Sequence, residues 1–337
     1  MDRQYVGIDL HRRSATVHRM SGDGEVLGSH RIVAQPFELA QVMAEAGPEP
    51  EVVLESTYGW YWAADLLAEL GARVHLAHSL GNNWGNRRVK NDERDARDLA
   101  AMLRLGRLAE AWIAPPEVRE LRELVRYRFS LVRHRSSYKA QIHGVMAKNG
   151  VLPVKKHMWG PSGTTQLDAL ELPPAYSLRV ESLRDLIINI DKEITALDRR
   201  IHQQLKADRG YRAIQAIQGV GPVTAAIFVA EIGDVSRFSS PEKLCSWAGM
   251  TPKHRESDDH VSRGPITKQG SPLVRWAAIE AISSYRGGPK LRADYHRIAA
   301  RRGKYKARIA VARKLLTLVF YGLRDGEIRS LAAPTAA

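Results

Sequence analysis

The sequence predicts a mixed α/β domain followed by all-α regions, and three observations carry that expectation. The first hundred residues alternate short apolar strand patterns with helical ones, the order that builds a sheet with helices packed on it. From Pro115 onward the apolar residues recur at helical spacing instead. A heptad-like run in the middle then precedes a last, mostly helical third.

Each element has its own warrant. Tyr5-Val6-Gly7-Ile8-Asp9-Leu10 reads as a short buried strand, with Ala15 to Met20 and Glu25 to Val33 as hairpin partners around Gly22-Asp23-Gly24. Phe37 to Ala46 reads as a helix, Glu51 to Glu55 as a strand, Trp62 to Leu70 as a helix and Arg73 to Leu76 as a strand. Leu121, Leu124, Val125, Phe129 and Val132 mark a long helix with arginines between them, and residues 152–175 read as a linker rich in proline and glycine. Leu183, Ile187, Ile190, Ile194, Leu197, Ile201 and Leu205 alternate spacings of four and three. That is a coiled-coil seam, which joins protomers or closes an intramolecular helical hairpin. Helical patterns follow over Ala213–Gln218, Val223–Ile232, Pro241–Ala248, Ser271–Ser284 and Lys304–Leu323. The expected domains are therefore 1–110, 111–208 and 209–337.

Charge narrows the partners. The 337 residues carry 51 Lys and Arg against 37 Asp and Glu, a net charge of +14 that favours a polyanion. Hydrophobic residues make up 44%, enough to exclude a disordered chain. No apolar run approaches the roughly 20 residues needed to span a bilayer, so no membrane partner is expected. The N-terminus enters a strand pattern at once, without a signal-peptide pattern. The single Cys245 allows neither an internal disulfide nor a cysteine-based zinc cluster. These features lead to the expectation of a cytoplasmic, nucleic-acid-binding protein.

Four acids could share one site. Asp9 ends the first strand and Glu55 a later one, so neighbouring strands would bring them together at one sheet edge. Asp92 and Asp95 are three apart at a helix start and share a helical face. Converging carboxylates repel unless cations sit among them. Hard oxygen ligands suit Mg²⁺ or Mn²⁺, which stabilise the attacking and leaving oxygens of a phosphodiester. Singly, such acids are ordinarily caps or solvated charges favoured by the helix dipole. An Asp, a second-strand Glu and a late Asp-x-x-Asp together form the pattern of ribonuclease-H-like nuclease domains. Asp98 is either a spare ligand or a partner of Arg94.

The C-terminal third supplies candidate contacts to nucleic acid. Ile217-Gln218-Gly219-Val220-Gly221-Pro222 resembles a helix-hairpin-helix turn, where Gly219 and Gly221 would expose backbone N–H groups to a phosphate. The alternative is a tight turn without a ligand. A long polar segment then holds Lys253, His254, Arg255, Ser257, Arg263, Lys268 and Arg275. A serine there needs activation to act as a nucleophile, and the residues alone do not prefer Ser257 over Ser262 or Thr267. Arg301, Arg302, Lys304, Lys306 and Arg308 lie in a dense basic region that favours backbone contact with nucleic acid over a merely solvated helix face.

Taken together, these residues resemble the IS110 family of insertion-sequence transposases, relatives of the Piv DNA invertases. The resemblance is carried by Val6-Gly7-Ile8-Asp9, Leu54-Glu55-Ser56-Thr57-Tyr58-Gly59 and Lys90-Asn91-Asp92-Glu93-Arg94-Asp95-Ala96. Gly219-Val220-Gly221-Pro222, Ala230-Glu231-Ile232-Gly233-Asp234, Gly249-Met250-Thr251-Pro252, Glu256-Ser257 and Thr267-Lys268-Gln269-Gly270 continue it in order. It implies a RuvC-like domain whose acids are Asp9, Glu55, Asp92 and Asp95, and a C-terminal transposase domain whose nucleophile is Ser257. It further implies donor and target DNA as substrates, a structured guide (bridge) RNA, and a dimer or tetramer in which the serine of one protomer meets the acids of another. Two positions depart from the family pattern: Asp258 stands where Gly often follows the serine, and Asn91 where Thr often precedes the first late Asp. The alternatives are a RuvC-like junction endonuclease that needs no serine, and a non-catalytic nucleic-acid-binding protein.

Overall fold

The computed structural model describes residues 3–79, 81–82, 91–153, 158–258, 260–283 and 289–331. Lys90, Ser284, part of the expected 152–175 linker and the Ala/Pro tail after Leu331 lie outside them. The chain divides into two compact units, Met1–Ala114 and Pro115–Ala337.

The first unit is a six-stranded mixed sheet. Its strands are β1 (Tyr5–Leu10), β2 (Ser14–Met20), β3 (Val26–Val33), β4 (Glu51–Glu55), β5 (Arg73–Ala77) and β6 (Glu110–Ala111), in the order β3-β2-β1-β4-β5-β6. β4 pairs in parallel with β1 and with β5, and the other neighbours are antiparallel. β1 is central, with Val6, Ile8 and Leu10 on one face and a helix packed over Gly7 on the other, so nearly all of it is buried. Val6, Ile8 and Leu10 face one side, where α1 (Pro36–Ala44) and α2 (Trp60–Glu69) contribute Leu39, Met43, Ala63 and Leu67 to a shared core. The opposite side carries Val53 and Ala77 against Leu99 and Leu103 of α3 (Asp92–Arg104).

α3 lies unusually close to β1. A Cβ at Gly7 would fall 2.0 Å from the carbonyl oxygen of Ala96 and 2.7 Å from the amide nitrogen of Ala100. Only glycine leaves room for that approach. Asn91 starts the helix, its side chain accepting a hydrogen bond from the Glu93 amide at 3.0 Å, and Asp92, Glu93 and Asp95 suit the positive end of the helix dipole.

The second unit is helical apart from one hairpin. α4 (Pro116–Lys148) and α6 (Pro174–Leu205) pack as an antiparallel pair within one chain, tied by Arg128 to Asp198 at 2.8 Å and by Arg135 to Asp191 at 2.5 Å. Leu183 and Ile187 pack against Ile142 and Val145, while Ile201 and Leu205 meet Leu121 and Val125. The heptad seam is thus buried in an intramolecular hairpin, the second of the two arrangements that its spacing allows. α5 (Pro161–Asp168) occupies part of the expected linker.

The remaining helices are α7 (Arg209–Ile214), α8 (Pro222–Ile232), α9 (Pro241–Trp247), α10 (Pro272–Ser283), α11 (Pro289–Arg302) and α12 (Lys304–Asp325). α8 is apolar nearly all round and forms the centre of their core. Its one buried charge, Glu231, accepts two hydrogen bonds from Arg126 at 2.7 and 3.1 Å and one from the Ser271 hydroxyl at 2.9 Å. Among the described residues no helix is long and apolar enough to cross a membrane.

Two predictions follow from the α3 contact. Gly7→Ala should lower the urea midpoint of the first unit, because the added methyl has no room; overpacking of this kind costs about 1–3 kcal/mol. An unchanged midpoint would remove the steric argument. His18 opposes Gly7 across β2, is buried, and has no hydrogen-bond partner for either ring nitrogen among the described residues. Burial lowers its pKa from 6.5, and Arg97 lowers it further against the opposing pull of Glu93 and Asp98. The neutral ring is therefore the folded form: its contribution to stability is complete above pH 6.5 and is lost as the pH falls through the lower folded value. Denaturation midpoints should decline just below pH 6.5, and His18→Leu should flatten that part of the profile.

Candidate active site

The acids are assembled by strand register and by the first turn of α3. Ile8 pairs with Leu54 in the parallel ladder, so Asp9 and Glu55 occupy the next positions of adjacent strands. Both lie on the α3 face, each two residues beyond a residue facing that helix (Gly7 and Val53). Asp9 and Asp95 are each only 4% exposed, so these carboxylates are held out of bulk water. Thr57 ties the chain after β4 to the end of β1, its hydroxyl donating to the Leu10 carbonyl at 3.2 Å.

Asp92 reaches the same point from α3. His11 Nε2 stands 3.3 Å from Asp9 Oδ2 and 3.4 Å from Asp92 Oδ1. One ligand atom from each of Asp9, His11 and Asp92 lies within 4.8 Å of the other two. Arg31, on β3, places its guanidinium 3.9 Å from the other Asp92 oxygen. Two carboxylates, the buried Asp9 and the partly exposed Asp92, with an imidazole beside them form a donor set that fits a divalent cation. Asp9 and Asp92 are brought together directly. Glu55 takes the adjoining strand end, and Asp95 the same helical turn as Asp92. Sequence reasoning missed His11, Arg31 and Thr57. His11 had a usable signal: it lies two residues beyond Asp9 at a strand end, where alternate residues share a face.

Ser257 sits on a hairpin, where the sequence suggests only a polar loop. β7 (Pro252–Ser257) pairs antiparallel with β8 (His260–Ile266), and Ser257 opposes His260 just before the turn. Every residue of β7 is exposed. Alternation puts Arg255 on the same face as Ser257, while Glu256 points the other way and meets His254 Nε2 at 3.1 Å. Asp258 takes the turn position with φ +53°. That conformation suits glycine and is tolerated by aspartate, which explains how Asp stands where the family often has Gly.

The other candidate contacts divide. Arg275 donates to the carbonyls of Ala248, Gln269 and Gly270 at 3.1, 2.8 and 3.1 Å, so its guanidinium holds the root of the hairpin. Its partial burial lowers its pKa. Gly219 has φ +92°, and a Cβ there would fall 2.3 Å from the Ala281 carbonyl oxygen, so packing against α10 explains this glycine. Gly221, at the start of α8, has open space where a side chain would project. Arg263 and Lys268 are exposed on and just after β8. Arg301, Arg302, Lys304 and Lys306 are exposed around the corner between α11 and α12, and Arg308 is partly so. None of these five forms an ion pair among the described residues, whereas nearby Arg297 and Lys314 are held by Asp294.

Comparison with known proteins agrees with this architecture. A transposase profile of the DEDD type found in IS110 elements matches residues 6–149, and one described as "Transposase IS116/IS110/IS902 family" matches residues 211–296. "Putative transposase y4qE" of Sinorhizobium fredii is 30% identical over 85% of this chain and 73% of its own length. "Transposase for insertion sequence element IS1111A" of Coxiella burnetii is 23% identical over 95% of this chain and 89% of its own. "Transposase for insertion sequence element IS1328" of Yersinia enterocolitica is 22% identical over 83% of each. The class is that of DNA transposases with a DEDD-type domain. Within it, the chain belongs to the IS110 family.

Cation binding at the acids has a thermal signature. Adding Mg²⁺ or Mn²⁺ to chelator-treated protein should raise its Tm, as any ligand that prefers the folded state does. Asp9→Asn or Asp92→Asn should shrink that increment. An increment of the same size in both variants would place the cation elsewhere.

Proposed function

We propose that the chain cuts and rejoins donor and target DNA through a covalent serine intermediate, assisted by a metal site built from Asp9, Glu55, Asp92 and Asp95. The convergence of Asp9 and Asp92 from separate elements carries this reading. A Mg²⁺ or Mn²⁺ ion bound there supplies charge stabilisation for the attacking and leaving oxygens. Ser257 Oγ, losing its proton to water, attacks the scissile phosphorus as the P–O bond to one strand end breaks; that end leaves as a protonated hydroxyl, and its later attack on the serine phosphodiester rejoins a strand without an outside energy source. The exposed hairpin tip supports this assignment, since a nucleophile for duplex DNA must reach a phosphate on a broad surface. Arg255, on the same face as Ser257, is suited to stabilising the phosphorane charge.

The three expected segments, 1–110, 111–208 and 209–337, belong to this reading as catalytic, helical and serine-bearing parts. The exposed cations Arg263, Lys268, Arg301, Arg302, Lys304 and Lys306 and the partly exposed Arg308 serve as phosphate contacts, as does the open backbone at Gly221. Family resemblance supports a guide (bridge) RNA, a cytoplasmic, nucleoid-associated setting, and a homo-oligomer, dimer or tetramer, that combines the acids and serine of different protomers.

Suicide DNA substrates test the chemistry. The native chain should form a covalent adduct that Ser257→Ala and Asp9→Ala both lose. Hydrolytic cutting by Ser257→Ala would sink the serine step and favour the junction-endonuclease alternative. Undiminished activity in Asp9→Ala would sink the metal-site assignment.

A further inference from the structure

We infer that His11 is a nitrogen ligand of the divalent cation and makes the site prefer Mn²⁺ over Mg²⁺. The inference rests on the acidic-site reading above and deepens it. One ring nitrogen, Nε2, lies between carboxylate oxygens from two different elements, 3.3 Å from Asp9 on β1 and 3.4 Å from Asp92 on α3. A charge-assisted N–H···O⁻ hydrogen bond is shorter, about 2.7–2.9 Å. Ligands on neighbouring corners of an octahedron with bonds of about 2.1 Å stand roughly 3 Å apart. Both His11 separations are nearer to that spacing than to a closed ion pair's, and one ligand atom from each of the three residues lies within 4.8 Å of the other two.

Residue chemistry supports the same assignment. Mg²⁺ takes hard oxygen donors almost exclusively, whereas imidazole binds more strongly to the later divalent metals and to Mn²⁺ than to Mg²⁺. The charge-balancing task at Asp92 already has a candidate in Arg31, 3.9 Å from its second oxygen. The His11 side chain is 46% exposed, so it contributes little to the core and can be replaced without a packing defect.

Full-length protein freed of metal and titrated with Mn²⁺ or Mg²⁺ alone gives the test. His11→Ala should weaken Mn²⁺ binding by roughly tenfold or more and leave Mg²⁺ binding nearly unchanged. Pulsed EPR of the Mn²⁺-loaded protein should show coupling to an imidazole nitrogen that the variant lacks. If His11 acts instead as a protonated counter-ion, its removal will tighten both cations together, and no nitrogen coupling will appear; either result overturns the proposal. Asp9→Asn separates the two levels of argument. It should weaken both cations, and unchanged affinities there would overturn the acidic site itself and His11 with it.

Discussion

The close approach of α3 to β1 across Gly7 is the constraint on which the acidic site depends. A β-strand presents alternate residues to one face, so the face carrying Gly7 also carries Asp9. The missing side chain at Gly7 lets the backbone of Ala96 and Ala100 descend onto the strand. The first turn of the helix, and with it Asp92 and Asp95, then comes down beside the strand end. A residue with a Cβ at position 7 would lift the helix and part the two carboxylates that now share His11.

Burial makes that arrangement electrostatically demanding. Asp9 and Asp95 are both removed from water, and a buried carboxylate calls for compensating partners. Part of the compensation is visible in the Arg31 guanidinium beside Asp92 and in the positive end of α3. The contrast with Glu51, at the other end of β4, is instructive. Glu51 is met by the guanidinium groups of Arg3 and Arg73 at 3.2 and 3.1 Å and by the His75 ring at 2.6 Å, partners that satisfy it within the protein. One strand thus begins with a glutamate committed to structure and ends with one placed beside the candidate cation site.

In the second unit, rigidity and exposure are separated. The α8 core and the Arg126–Glu231–Ser271 network give a firm base, and Arg275 fastens the hairpin root to it. A two-stranded hairpin alone is marginally stable in water, and β7 buries none of its residues. Its root is thus fixed while its tip, with Ser257, stays exposed.

Five of the six strands of the first unit, most of the helices, the candidate acids at strand and helix ends and the run of cations over residues 301–308 were legible in the sequence, because period-2 and period-3.6 patterns and local charge are written in neighbouring residues. Membership of the IS110 family was equally legible, through motifs in order along the whole chain. That the heptad seam packs on α4 of the same chain had to come from the fold, since the same periodicity serves an intramolecular or an intermolecular partner. The fold alone turned the polar loop into a hairpin, where exposed strands lack the apolar alternation that marks a buried one. It also withdrew Arg275 to the hairpin root, gave Gly219 a packing reason, and brought His11 between Asp9 and Asp92. Each of these rests on contacts between residues far apart in the chain or on the path of the backbone, and neither is specified by residue type and spacing alone.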